Sequence, residues 1–399
     1  MTDLTRALLE LIRSAVSGSP KEIPATVDPV ALFRIVHRLH LSSFLWESGS
    51  RLPASSVRDA WEKDRDLAAM QDLLQTEEKE SVDAALSAAG IRFLYLKGSV
   101  LKPLWGDPSF RYMGDADFLF EGDDAALQSA LEKLGYTAEI FGSRDYSHHF
   151  VFRKEPWFVL EPHFALFDSD DPFAETLAGL FDRATPDDTL PGRYLISEED
   201  LYLHCLLHAR KHIVGSGIGV RSFLDFAFLL REYPDLSERA RVREVLSGAG
   251  LDVFESRVLR VARLLSDPTL TPDEEDEREL TMLFEIGLFG STDDLVEKRL
   301  LAERERSRFP RLAFFIKRFF PPLISMAHRK IRAPLSWIVY PFFWLRRVFL
   351  FLFTRSRRSR LKASFRALAS TEEKTKDAGF ELSYFGLSPE NGKGADPRD

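Results

Sequence analysis

Residues 94–119, LYLKGSVLKPLWGDPSFRYMGDADFL, narrow the folds open to this chain more than any other stretch. Asp115 and Asp117 stand two apart at the head of Phe118-Leu119-Phe120, an apolar run that reads as a buried strand. Strand alternation sends residues i and i+2 to one face, so the two carboxylates are expected side by side. Acids in a buried strand are costly, and two adjacent carboxylates repel until one takes up a proton or a cation enters between them. A hard divalent ion with oxygen ligands resolves the repulsion; Mg²⁺ (or Mn²⁺) holding substrate phosphates is the common use of such a pair. Upstream, Lys97-Gly98-Ser99 forms a turn. Gly98 has no Cβ to keep an anion from backbone N–H groups, and Ser99 adds a hydroxyl donor. Phosphate cradle and paired carboxylates together point to phosphoryl or nucleotidyl transfer.

The surrounding pattern is mixed. Residues 4–17 and 29–50 read as amphipathic helices, the second capped by Asp28, and a long helix is expected over 55–89, stopped by Gly90. Ile91–Leu96 then reads as a strand, and 98–104 as a helix interrupted by Pro103. After a loop at 107–114 comes the carboxylate strand 115–120, then a helix from Asp123 or Asp124 to Leu134, stopped at Gly135. His148–Arg153 and Trp157–Phe164 read as two strands joined by Lys154-Glu155-Pro156. Alternation places Glu161 and His163 on one face. Residues 197–301 read as all-helical, with Ser197 and Asp200 as a variant capping box. The expected organisation is an α+β chain: a helical region over 1–90, an α/β core over 91–195, a helical domain over 196–305, a basic aromatic tail over 306–370, and 371–399 without fixed structure.

The LKGSVL turn, Arg111 in FRYMGDADFLF, Leu134-Gly135-Tyr136 and Leu160-Glu161-Pro162-His163 resemble the uncharacterised bacterial nucleotidyltransferases of the DNA polymerase beta-type superfamily. The resemblance covers roughly residues 5–330, with its specific motifs in 94–163. It implies a polymerase-beta-type core flanked by helical regions, a Gly-Ser turn opening a helix, an Asp-x-Asp strand, and a third carboxylate from a later strand, here Glu161. The site it implies has Asp115, Asp117 and Glu161 as catalytic metal ligands, with Lys97, Gly98, Ser99 and Arg111 binding the NTP. Glu161 departs from the third Asp of the best-studied members, and the interval from Ser99 to Asp115 is longer than theirs.

Several residues keep more than one reading. Lys97 is an exposed base or a triphosphate contact. Ser99 caps the next helix, binds phosphate, or does both, since a helix N-terminus is itself an anion site. Arg111 pairs with a body carboxylate, anchors its loop or touches triphosphate. His163 is a core histidine, a base for the acceptor hydroxyl or, the favoured reading, the partner that orients a carboxylate ligand. His204, His208 and His212 line one helical face, but a single helix rarely presents three ligands to one ion, and no HExxH accompanies them, which disfavours zinc. In the resembling family a histidine, an arginine and an aspartate recur at the positions of His208, Arg221 and Asp225, implying a structural or substrate-shaping role.

Charge divides the chain. The net charge is −8, yet residues 306–366 carry 16 Lys+Arg and no Asp or Glu, interleaved with Phe, Trp, Leu and Ile. The longest uncharged stretch there, 13 residues from Ala333 to Leu345, is short of the roughly 20 that a spanning helix needs. A membrane surface is the favoured partner for this tail, ahead of packing against protein and of nucleic acid. One cysteine, Cys205, excludes an intramolecular disulfide and fits a reducing cytoplasm, at the inner face of the membrane if the tail meets lipid. The reaction expected is transfer of an NMP from NTP to an acceptor hydroxyl on a small molecule, glycan or peptide. The alternatives are a toxin-like enzyme that nucleotidylates protein or RNA, and a non-catalytic membrane-associated scaffold.

Overall fold

The computed structural model describes residues 1–142, 144, 148–168, 171–287, 298, 301, 308, 309 and 372–387. It divides into two compact units, one comprising Met1–Arg210 with Gly219–Leu288, the other Lys211–Ile218 with Phe289–Asp399. The first unit is α+β, a mixed sheet flanked by helices. At its N-terminal end are α1 (Asp3–Val16), α2 (Pro29–Arg38), the single turn α3 (Trp46–Gly49) and α4 (Ser56–Ala88). The strands β1 (Arg92–Tyr95), β2 (Ala116–Glu121), β3 (Thr137–Ile140), β4 (Val151–Lys154), β5 (Phe158–His163), β6 (Thr185–Pro186) and β7 (Arg193–Leu195) form one mixed sheet. The order is β3-β4-β5-β2-β1-β7-β6. The short α5 (Gly98–Leu101) follows β1, α6 (Asp124–Lys133) follows β2, and α7 (Leu180–Arg183) precedes β6. Then come α8 (Glu198–Val214), α9 (Val220–Glu232), α10 (Ala240–Gly248), α11 (Asp252–Ser266) and α12 (Glu274–Ile286).

Alternation along the strands decides what each sheet face does. Phe93 and Tyr95 of β1, Phe118 and Phe120 of β2, Phe152 of β4 and Leu160 of β5 pack with Val82 and Leu86 of α4 and Leu127 and Leu131 of α6. Each fully buried side chain of this size contributes about 1.5–3 kcal/mol. The intervening residues turn to the opposite face, where Leu94, Leu96 and Leu119 pack with Leu180 and Phe181. Asp117, Glu161 and His163 share the alternation of Leu119 and so belong to this second face. Tyr95 Oη donates to Asp83 Oδ1 at 2.7 Å, and Lys79 and Arg193 reach Asp83 Oδ2 at 2.9 and 2.8 Å, which pins α4 to both β1 and β7.

The N-terminal and post-sheet helices are parts of one body. Arg13 of α1, 5% exposed, donates from Nε to Leu264 O of α11 at 2.7 Å and from Nη2 to Leu270 O at 2.8 Å. Cys205 lies on α8, where burial pushes its thiol up to about 12.

Some elements differ from the sequence expectation. The helix expected over 29–50 stops at Arg38, because His40 turns left-handed (φ 53°) and Leu41 N closes back on Val36 O at 3.0 Å. Glycine usually takes that position, so no residue type marked the stop. Pro103 sits in a 3₁₀ turn, Lys102–Trp105, that ends α5 early. Strands β3, β6 and β7 had no apolar alternation to betray them. The segment 371–399, expected to lack fixed structure, contains a helix over Glu372–Tyr384 in the second unit. Ala378, Leu382 and Phe385 are buried, a helical spacing that composition alone passed over. The basic segment 306–370 lies outside the described residues, apart from Arg308 and Phe309. No helix of the described residues is long and apolar enough to cross a membrane.

Candidate active site

Strand β2 pairs antiparallel with β1 and parallel with β5. The β2–β5 register sets Asp117 opposite Glu161 and Leu119 opposite His163. His163 Nε2 lies 2.9 Å from Asp117 Oδ1, and Lys97 Nζ lies 3.4 Å from the same oxygen. Asp117 is 7% exposed and His163 3%. Burial alone would raise the Asp117 carboxyl, but Lys97 and the bond from His163 hold it well below the usual carboxylate range. Burial pulls His163 down to about 4, against the opposing pull of Asp117. The imidazole is therefore neutral at pH 7 and donates its Nε2 proton to the carboxylate, leaving Lys97 as the charge that offsets Asp117.

Asp115 lies one residue before β2. Burial and the neighbouring Asp117 raise its carboxyl, with Lys97, Arg221 and Arg111 pulling the other way. One acid raised beside one lowered is what carboxylates crowded into a single site show. Asp117, Glu161 and His163 bring ligand atoms within 4.8 Å of one another. Donors about 2.0–2.6 Å from one ion stand at most about 4–5 Å apart, so this set fits a divalent cation. His163 Nδ1 is buried with no partner among the described residues.

The turn before the carboxylates is shaped by packing. Lys97 carries φ 41° and ψ −110°, a conformation a lysine adopts only under constraint, and α5 begins immediately after it. Ser99 is half-buried, with Oγ 3.7 Å from Met113 Sδ. A Cβ on Gly98 would meet Arg111 Nη1 at 2.8 Å and Met113 Sδ at 3.0 Å, so only glycine lets the loop close over this turn.

That loop is clasped from several sides. Arg111 donates from Nε and Nη2 to the two oxygens of Asp225 on α9 at 2.6 and 2.7 Å, and Trp105 Nε1 reaches Oδ1 at 3.0 Å. Gln75 of α4 donates to Met113 O at 2.8 Å, Arg221 of α9 to Tyr112 O at 2.5 Å, and His40 stacks on Tyr112 at 4.1 Å. Burial, with Arg111 beside it, brings Arg221 down to about 10. Of the readings open to Arg111, pairing with a body carboxylate is the one this geometry displays; Nη1 alone faces the glycine turn. Asp225 and Arg221 hold that loop against α9.

Sequence reasoning did not bring His148, His149 and Asp168 to the site, and it weighed His204 only as one of three histidines on a helical face. His149 Nε2 lies 3.7 Å from Glu161 Oε2, and His148 Nδ1 lies 2.7 Å from Asp168 Oδ1. The signal was a histidine doublet opening a strand antiparallel to the one that carries His163. His204 of α8 is 1% exposed, with neither ring nitrogen partnered among the described residues. Burial, then Lys97 and His163, hold it well below the usual imidazole range. His204, His208 and His212 do not converge as a ligand group among the described residues.

A family model described as an uncharacterised nucleotidyltransferase matches residues 25–267, more than half of the chain, and the chain belongs to that family. No curated protein matches it, and no solved structure does.

Proposed function

We propose that this member of the nucleotidyltransferase family moves a nucleoside monophosphate from an NTP to the hydroxyl of a small molecule, glycan or peptide. The acceptor oxygen bonds to the α-phosphorus as the α–β bridge breaks, and pyrophosphate leaves. The observation that carries this reading is the direct pairing of Asp117 with Glu161 across β2 and β5, beside Lys97 at the glycine turn. Asp115, Asp117 and Glu161 would hold Mg²⁺ or Mn²⁺. Once bound, such ions make the acceptor oxygen a better nucleophile and neutralise charge on the triphosphate.

The chain's own groups bind and orient. The backbone of Gly98 and the Ser99 hydroxyl meet the β- and γ-phosphates, with Lys97 adding a positive charge and Arg111 Nη1 a positive field behind the turn. His163 keeps one Asp117 oxygen engaged and so fixes the carboxylate plane. The loop clasped by Asp225, Arg221 and Gln75 sets the position of Asp115 without moving parts. The basic, aromatic segment 306–366 would rest this enzyme on an anionic membrane surface at the cytoplasmic face.

Calorimetry with each of the four NTPs in Mg²⁺ or Mn²⁺ tests the site. Metal-dependent binding in the wild type, lost in Asp115→Asn/Asp117→Asn, is the expected result. A wild type that binds no NTP with either metal overturns it. Flotation of the intact chain with anionic liposomes, set against a chain shortened after Arg304, tests the membrane contact, and equal flotation of the two overturns that part.

A further inference from the structure

Three imidazoles converge at the end of β5. His148, His149 and His163 bring ring nitrogens within 4.8 Å of one another, with ring centroids 4.6, 5.3 and 5.0 Å apart. The backbone builds this meeting: His149 bridges His163 in antiparallel fashion, and Phe164 N donates to His148 O at 3.1 Å. Two of the rings are oriented by carboxylates. His148 Nδ1 donates to Asp168 Oδ1 at 2.7 Å, which fixes the orientation of its ring. His163 Nε2 donates to Asp117 Oδ1 at 2.9 Å, which leaves its lone pair on Nδ1, the buried atom without a partner among the described residues. A carboxylate that fixes one ring nitrogen and presents the other is the usual support of a metal-bound histidine. A buried imidazole nitrogen with no partner destabilises a fold unless a ligand takes it up. His204, also buried and without a partner among the described residues, lies close to His163 and His148.

We propose that His148, His149 and His163 form a binding site for a divalent first-row transition-metal ion of the Zn²⁺, Co²⁺ or Ni²⁺ class. Neutral imidazoles select these ions over Mg²⁺, which prefers oxygen ligands and retains its water. The site adjoins the Asp117–Glu161 pair through His163 but is read from metal binding alone, so it stands whether or not nucleotidyl transfer does.

The test uses the full chain, stripped of metal with a chelator and titrated with Co²⁺ in the absence of nucleotide. One equivalent is expected to bind, with the visible absorption of a nitrogen-ligated ion that Zn²⁺ displaces and a large excess of Mg²⁺ does not. His149→Ala and His148→Ala each weaken Co²⁺ binding at least about tenfold, and Glu161→Gln changes it less than about threefold. Circular dichroism and metal-free thermal unfolding establish that each variant is folded. His149→Gln supplies a second, milder substitution at the half-buried position, and it weakens binding likewise. The proposal is overturned by a wild type that takes up no stoichiometric Co²⁺, by histidine variants that bind as the wild type does, or by loss of binding in Glu161→Gln alone. The last result would assign the ion to the carboxylates, and the first would leave Mg²⁺-dependent NTP binding untouched.

Discussion

Asp225 and Asp117 are buried to the same degree, 6% and 7% exposed, yet their surroundings differ in kind. Asp225 receives three donors at 2.6–3.0 Å, two from one guanidinium and one from an indole, and its charge is neutralised where it stands. Asp117 receives one imidazole N–H at 2.9 Å and a lysine at 3.4 Å, both on Oδ1. Around it sit a second acid with a raised carboxyl, and Nδ1 of His163 and the ring of His204, which have no partner among the described residues. A closed pair holds two elements together. A loosely met carboxylate beside unsatisfied nitrogens leaves polar capacity open, as the proposed metal and nucleotide site requires.

The contrast can be broken by mutation. Asp117→Asn is expected to lower nucleotidyl transfer at least about a hundredfold while circular dichroism and the unfolding midpoint stay near those of the wild type. A product-formation assay retaining activity within a few fold would remove Asp117 from the chemistry. Asp225→Ala strands Arg111 in the interior and is expected to cost about 3–5 kcal/mol in urea unfolding. The double variant Arg111→Met/Asp225→Leu should lose clearly less than Asp225→Ala alone, because neither partner is left unpaired. Gly98→Ala drives a methyl against Arg111 and Met113, and thermal unfolding should register about 1–3 kcal/mol of destabilisation along with weaker NTP binding. The smallest effect has the opposite sign. His204→Leu is expected to stabilise the metal-free protein by about 1 kcal/mol in the same urea measurement, since it removes two buried nitrogens that have no partner among the described residues.

Much of the core was legible because it depends on short-range rules. Period-two alternation placed Glu161 and His163 on one face before any strand was paired. That Glu161 stands opposite Asp117 depends on a parallel pairing between strands distant in sequence, and no local pattern encodes such a register; the family resemblance supplied it. Asp115 marks the limit of the local rule, because it lies before β2 begins and meets Asp117 through the loop. The clasp on Arg111 was open for the same reason: a guanidinium shows nothing in sequence of which carboxylate it will find. His148 and His149 were read as strand residues, and their chemistry emerges only once β4 folds back along β5. The short strands β3, β6 and β7 bury too little to leave an alternation behind.

The bonds from Arg13 to the carbonyls of α11 and its exit join residues 251 and 257 positions apart. On a ribosome, α1 leaves the tunnel long before its partner exists. At about 5–20 residues per second, its apolar stripe of Leu8, Leu9, Leu11 and Ile12 waits roughly ten to fifty seconds for α11 to be synthesised. The sheet can close during that interval, but the first helix cannot seat. The earliest-made element thus waits for some of the later ones before it can seat, and until then its apolar stripe is open to nascent-chain chaperones.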